Sequence, residues 1–272
     1  MEVLANSTKM ITPLIIRSLT IGIITSVLCA IIGVYVVIRK MAFFAHAVSH
    51  ASLSGVAIAY LLNWNPFLTS IGFGVAIGAL VSFLIEKSRL FVDTIIGIVL
   101  PFSMSIGLIL LSFVKGYRPD VMSYLFGDIL STNRFDIMLV VILAIPIFIL
   151  LAILNKQFLM ISLDRDFAEI HGFRVNALDY VFMILVSFVV LLSTKIVGII
   201  LVSALVVIPP ATAVNIAKDI KQTFIFSFLI GFIGVVFGIV LSFIFNLPTG
   251  PFIVAFISVL FLISILLRKR NT

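Results

Sequence analysis

Two histidines, His46 and His50, stand four residues apart in the stretch "MAFFAHAVSHASLSGVAIAYLL", residues 41–62. On a helix, side chains at i and i+4 lie one above the other on the same face. Two imidazoles so placed can hold one divalent ion between them, and imidazole suits zinc, copper, nickel or iron. Either histidine alone is explained as well by a hydrogen bond to a neighbouring helix. A pair at chelating spacing, in a chain with 3 histidines, points instead to metal contact, because ionisable residues inside a membrane usually mark function. Ser49 and Ser52 place hydroxyls on the same stretch. Two ligands are too few to hold zinc, which takes about four. A symmetric dimer with its two-fold axis through a pore would supply four imidazoles. A site of that kind is weak and exchangeable, which suits passage of an ion.

The elements that must carry this pair are membrane helices. The chain has 272 residues, 62% hydrophobic and 11% charged, with mean hydropathy +1.35. Soluble domains carry about 25% charged residues, and one compact core of this length cannot hide such an apolar excess. The net charge of +7 does not indicate nucleic acid, because the basic residues sit in short gaps between apolar runs and form no aromatic-interleaved face. Cys29 is the only cysteine, so no intrachain disulfide or cysteine-based zinc site is possible; it reads as a small apolar filler. The first apolar run is longer than a signal-peptide core and reads as a retained anchor. No soluble domain or long linker interrupts the chain, so residues 1–272 are expected to form a single transmembrane domain.

A spanning helix needs about 20 apolar residues. Nine segments qualify, approximately 15–38, 43–62, 67–85, 91–114, 135–154, 178–193, 196–217, 224–245 and 252–267, and little separates the sixth from the seventh. The expected fold is therefore an all-α polytopic membrane protein with about eight to nine transmembrane helices. Placing the gap 155–177 in the cytoplasm leaves 12 basic residues inside (Arg39, Lys40, Lys87, Arg89, Lys156, Arg165, Arg174, Lys218, Lys221, Arg268, Lys269, Arg270). Five fall outside (Lys9, Lys115, Arg118, Arg134, Lys195), with Arg17 within the first segment. This bias puts the amino terminus outside and the carboxyl terminus inside. His46 and His50 then sit roughly 7 Å and 13 Å from the inner surface at about 1.5 Å per residue.

Pro101, Pro146 and Pro209–Pro210 fall within apolar runs, where a missing amide frees carbonyls and irregular backbone is expected. Gly74/Gly78 and Gly234/Gly238 are spaced to let helices approach closely. Two polar elements remain. Asp164, Arg165, Asp166 and Glu169 precede an apolar set at Phe167, Ile170 and Phe173, and Gly172 stands where a helix would stop. This reads as a short amphipathic cytoplasmic helix. Its acidic start favours a protein partner over an anionic lipid surface, and His171 has no metal role there. The external gap holds Asp120, Asp128 and Asp136 among apolar residues and reads as a docking surface or a solvated loop.

Taken together, "RKMAFFAHAVSHASLSGVAIAYLL", "VDTIIGIVLPFSMSIGL", "DVMSYLFGDIL", "DRDFAEIHGFRVNALD", "VGIILVSALVVIPPATA" and "LPTGPFIV" resemble the membrane permease subunits of bacterial zinc/manganese ABC importers. The resemblance runs in order over nearly the whole chain and looks closest to the zinc-uptake permeases. It implies the ABC importer permease fold and a multi-pass place in the bacterial cytoplasmic (inner) membrane. It also implies a homodimer, two cytoplasmic ATP-binding subunits, an extracytoplasmic metal-binding protein and no permanently bound cofactor. The transported ion would be Zn2+, with Mn2+ or iron as the alternative within the family. Residues 163–177 match the family's coupling region, with Asp164, Asp166, Phe167, Glu169 and Gly172 as the residues that meet the ATPase. His50 matches the histidine of the family's "GDxxxHA"-like stretch. His46 replaces its aspartate, and Ala45 its glycine. Exchanging a hard oxygen for a nitrogen favours zinc over manganese.

The chain lacks any G-x-x-x-x-G-K-[ST] loop, so ATP hydrolysis is expected from a separate chain and the protein is not itself an enzyme. The expected mechanism is alternating access, with motion of the coupling region opening a path past the histidines. A gradient-driven carrier would normally place acidic residues deep in the membrane. An intramembrane metalloenzyme would need more histidines than this chain has, or an H-E-x-x-H signature.

Overall fold

The computed structural model describes residues 2–114, 134–245 and 247–267, with side chains from Ile16 onward except at 134–136, 195–196 and 267. The helices are α1 (Glu2–Ile38), α2 (Ala42–Leu62), α3 (Pro66–Lys87), α4 (Val92–Phe113), α5 (Arg134–Leu163), α6 (Arg165–Ile170), α7 (Val175–Val197), α8 (Ile199–Ile216), α9 (Ile220–Phe245) and α10 (Thr249–Leu267). Among the described residues 9 helices are long and apolar enough to cross a membrane, and no strand occurs. Helix is what such runs must adopt, because backbone amides in hydrocarbon need partners within their own segment.

Local chemistry sets the ends. The Asn65 side chain accepts from the amides of Phe67 (3.0 Å) and Leu68 (3.2 Å) and caps α3, with Pro66 in the first turn. Between α1 and α2 the Met41 amide donates to the Val36 carbonyl (2.9 Å) and Lys40 to Val37 (3.0 Å). Lys40 has φ 57°, which closes a Schellman turn. Gly198 alone divides α7 from α8, with φ 85°, a conformation glycine adopts without strain. The sixth and seventh apolar segments are thus two separate helices joined by one residue.

Two expectations need correction. Helix α5 continues to Leu163, so residues 155–163 are helical rather than loop. The polar run Asn155–Lys156–Gln157 hides this in the sequence, and the structure accommodates it by letting Tyr35 Oη donate to Asn155 Oδ1 at 2.7 Å. The helices also run on through Pro101, Pro146, Pro209 and Pro210, so no irregular mid-membrane backbone appears there. The carbonyl of Val206, which Pro210 leaves without its usual amide, lies where a Cβ on Gly33 would fall.

Packing divides the helices into two groups. α1 lies against α8 and α9, with α10 on those two, while α2 lies against α3 and α4. α7 runs between the groups, touching α3, α2, α8 and α1. The glycine spacings do serve close approach, Gly74 and Gly78 against Leu191 and Ser187 of α7, Gly234 and Gly238 against Ile257 and Ile253 of α10. α1 and α2 follow each other in the chain yet barely touch beyond the turn that joins them.

Candidate metal-contact face and short polar helix

Helix α2 is the least apolar of the candidate spans and, with α1, the most enclosed. Its neighbours shield its small polar residues from lipid. From Phe44 to Ala57 every residue is buried except His46, His50 and Leu53. These three lie at i, i+4 and i+7, which is one stripe, and Phe43 extends it at 64% exposure. The structure therefore leaves one face of α2 open, and that face carries the imidazoles. The rings meet edge to face with centroids 4.4 Å apart. His50 Nδ1 is buried with no hydrogen-bond partner. Neighbouring helices do not satisfy that nitrogen, so a hydrogen bond to another helix is not what holds His50 Nδ1 in place.

Ser49 and Ser52 do not join the pair. Both are buried, and their hydroxyls donate to carbonyls of α2 itself, Ser49 to Ala45 at 2.9 Å and Ser52 to Ser49 at 2.5 Å. Such back-bonding is the default for serine within an apolar helix. Cys29 is buried, its sulfur 3.6 Å from Ser193 Oγ. No cluster of three or more His, Cys, Asp or Glu occurs among the described residues. Among the described residues one protomer thus brings His46 and His50 together without a third such side chain.

The second expected element is α6. Asp164 caps it, its carboxylate accepting from the Phe167 amide at 3.0 Å. Gly172, φ 81°, closes it, with the Gly172 amide donating to Glu169 (2.9 Å) and the Phe173 amide to Ala168 (3.2 Å). Ala168 is the buried residue, packed with Ile161, Val175 and Phe173. The expected apolar set therefore divides. Phe173 turns inward, while Phe167 and Ile170 face out, Ile170 at 82% exposure. Asp166 and Glu169 are exposed beside them, with Glu169 3.9 Å from Arg165. His171 spends its Nδ1 on the Phe167 carbonyl at 2.8 Å. Of the expected external surface, Asp120 and Asp128 lie outside the described residues, as does the side chain of Asp136.

Sequence reasoning missed a charge network behind α6. One carboxylate, Asp179 on α7, accepts from Arg39 Nη1 at 2.7 Å and from Arg165 Nη1 at 2.5 Å. Arg39 also donates to Ser162 Oγ at 2.8 Å and lies 4.1 Å from the centre of the Phe182 ring. Burial pulls the Arg39 guanidinium below its ordinary value, and Asp179 pushes it back. The only local signal was a carboxylate just inside an apolar run. A cavity of about 540 Å³ opens here, lined by Lys40, Glu86, Arg165 and Asp179 among others. It gathers helix ends that the basic-residue count assigns to the cytoplasm.

Residues 11–268 match the model of a family described as the ABC 3 transport family. The chain belongs to the ABC-3 transport family. The permease is 35% identical to the manganese transport system membrane protein MntC of Listeria monocytogenes serovar 1/2a, over 94% of its own chain and 90% of that protein. It is 29% identical to the high-affinity zinc uptake system membrane protein ZnuB of Haemophilus influenzae, over 93% and 97%. Among solved structures, PsaBC from Streptococcus pneumoniae in complex with Fab superposes with TM-score 0.82 at 29% identity, covering 94% of the permease and 92% of that chain. The all-helical expectation and the family resemblance both hold. The permease is a multi-pass transport component of the cell membrane, not an enzyme.

Proposed function

We propose that this permease forms the membrane pathway of an ATP-driven importer of a divalent transition-metal ion, with Zn2+ as its preferred cargo. The observation that carries the proposal is the open stripe of α2, where the two imidazoles stand in contact. Relatives named for manganese and for zinc transport agree on the class of cargo and divide on its identity. The donor set leans to zinc, since two nitrogens suit a borderline-soft ion better than the harder Mn2+. A second copy facing the same stripe would bring the ligand count to four, so the working unit is a homodimer. The manganese reading has equal support from the relatives, several of which are named for manganese transport.

Exposed Phe167 and Ile170 on a capped, six-residue helix make a compact apolar knob between acidic residues. Two cytoplasmic ATPase subunits would dock here, and an extracytoplasmic metal-binding protein would deliver the ion on the far side. Ile170→Glu is expected to weaken ATPase association by about 2 kcal/mol, roughly 30-fold, as for the loss of a buried interface anchor. Co-purification of the ATPase with the variant permease measures it.

Uptake of zinc and manganese into proteoliposomes containing permease, ATPase and the metal-binding protein tests the cargo. ATP-dependent accumulation with zinc preferred supports the reading. Preference for manganese assigns the second reading, and accumulation without ATP or ATPase overturns both.

A further inference from the structure

The Arg39–Asp179–Arg165 bridge ties α6 to the turn at the base of α2 through one carboxylate on α7. α6 packs on α5 and α7 and has no comparable packing on α2. Its first residue, Arg165, holds Asp179 and also donates to Asn176 Oδ1 at 2.8 Å. The second oxygen of Asp179 holds Arg39. Arg39 immediately precedes Lys40 and the turn into α2, seven residues before His46. Arg39 and Asp179 side chains are only 8% and 15% exposed, so the pair has little water to fall back on if it separates.

We propose that this bridge is the link through which displacement of α6 reaches the histidine-bearing face of α2, with Arg39 and Asp179 as positioning residues for transport. The inference rests on the function proposed above. Its logic is mechanical. α1 and α2 hardly touch beyond the turn that joins them, so α2, together with the α3 and α4 packed on it, can shift against α1 about that turn. A guanidinium clamped by a carboxylate, Ser162 Oγ and the Phe182 ring fixes where the turn sits. Arg165 is exposed at 48%, at the ATPase-facing helix, and shares the same carboxylate. Moving Arg165 therefore pulls on Asp179, and Asp179 pulls on the base of α2.

The test measures zinc uptake and ATP hydrolysis in the same proteoliposomes, with ATPase and metal-loaded binding protein present. Asp179→Asn keeps the shape and removes the charge. It is expected to lower ions moved per ATP about tenfold, within the range of ordinary coupling energies, while ATPase subunits still co-purify and hydrolysis continues. Asp179→Glu, which restores the carboxylate, is expected to recover much of that ratio. If uptake and hydrolysis fall together, or neither changes, the bridge is merely structural and the inference is wrong. Should Asp179→Asn fail to assemble, the exposed Arg165→Gln reads the same ratio, and an unchanged ratio there overturns the link. Absence of ATP-dependent uptake in the unaltered permease would instead refute the underlying function.

Discussion

His50→Ala is expected to reduce zinc uptake by at least about 100-fold while leaving the fold and ATPase association intact, since even outer-shell partners of metal ligands are worth 10–100-fold. The side chain is half-buried on the one open stripe of α2, and its Nδ1 makes no hydrogen bond. Removing it costs the ring contact with His46 and no hydrogen bond at Nδ1. Thermal unfolding in detergent should therefore barely change. In a dimer the substitution removes two of four imidazoles, and two ligands cannot compete with the ion's hydration. His46→Asp should behave differently. It returns an oxygen ligand at the same spacing, so uptake should persist while the zinc-to-manganese ratio falls. Unchanged zinc uptake in His50→Ala would remove the site.

The second large effect concerns the fold. At Gly33 of α1 an added Cβ would land on the Val206 carbonyl oxygen of α8 and within 2.9 Å of Pro210 Cγ. Both obstacles belong to backbone or a rigid ring, so no rotamer change relieves the clash. Gly33→Ala is expected to cost about 3 kcal/mol or more, the upper end of the usual cost of overpacking. That is a large part of a typical stability of about 5–15 kcal/mol. Yield of monodisperse protein and its melting temperature should both drop. Gly97→Ala is the control, since a Cβ there meets nothing within 4 Å. In mid-helix it should be neutral or stabilising by up to about 1 kcal/mol. Equal behaviour of the two variants would show that the α1–α8 crossing tolerates separation.

Much of this architecture is legible in the apolar runs, because spanning length and backbone satisfaction leave few options. The histidine pair is legible too, as spacing alone places both rings on one face. What fails is polarity read without partners. Ser49 and Ser52 seem to wet the site, yet each bonds its own helix. Asn155 seems to end α5, yet Tyr35, 120 residues away, satisfies it. The prolines seem to break helices, yet the chain stays helical and the Val206 carbonyl sits against a residue without a Cβ. Arg39 and Asp179 are 140 residues apart, and no local pattern announces such a pair. Sequence exposes periodicity; it does not expose which distant group meets a stranded polar atom.

The one-residue junction at Gly198 has a mechanical corollary. Two rods joined at a single point act as tweezers: their tips stay together while their handles swing. Asp179 lies 19 residues from that pivot, roughly 28 Å along α7 at about 1.5 Å per residue. A turn of about 10° at the pivot would sweep the carboxylate through about 5 Å, one helical pitch. A small angular change at the Gly198 end would thereby be amplified into a larger stroke at the Asp179 end.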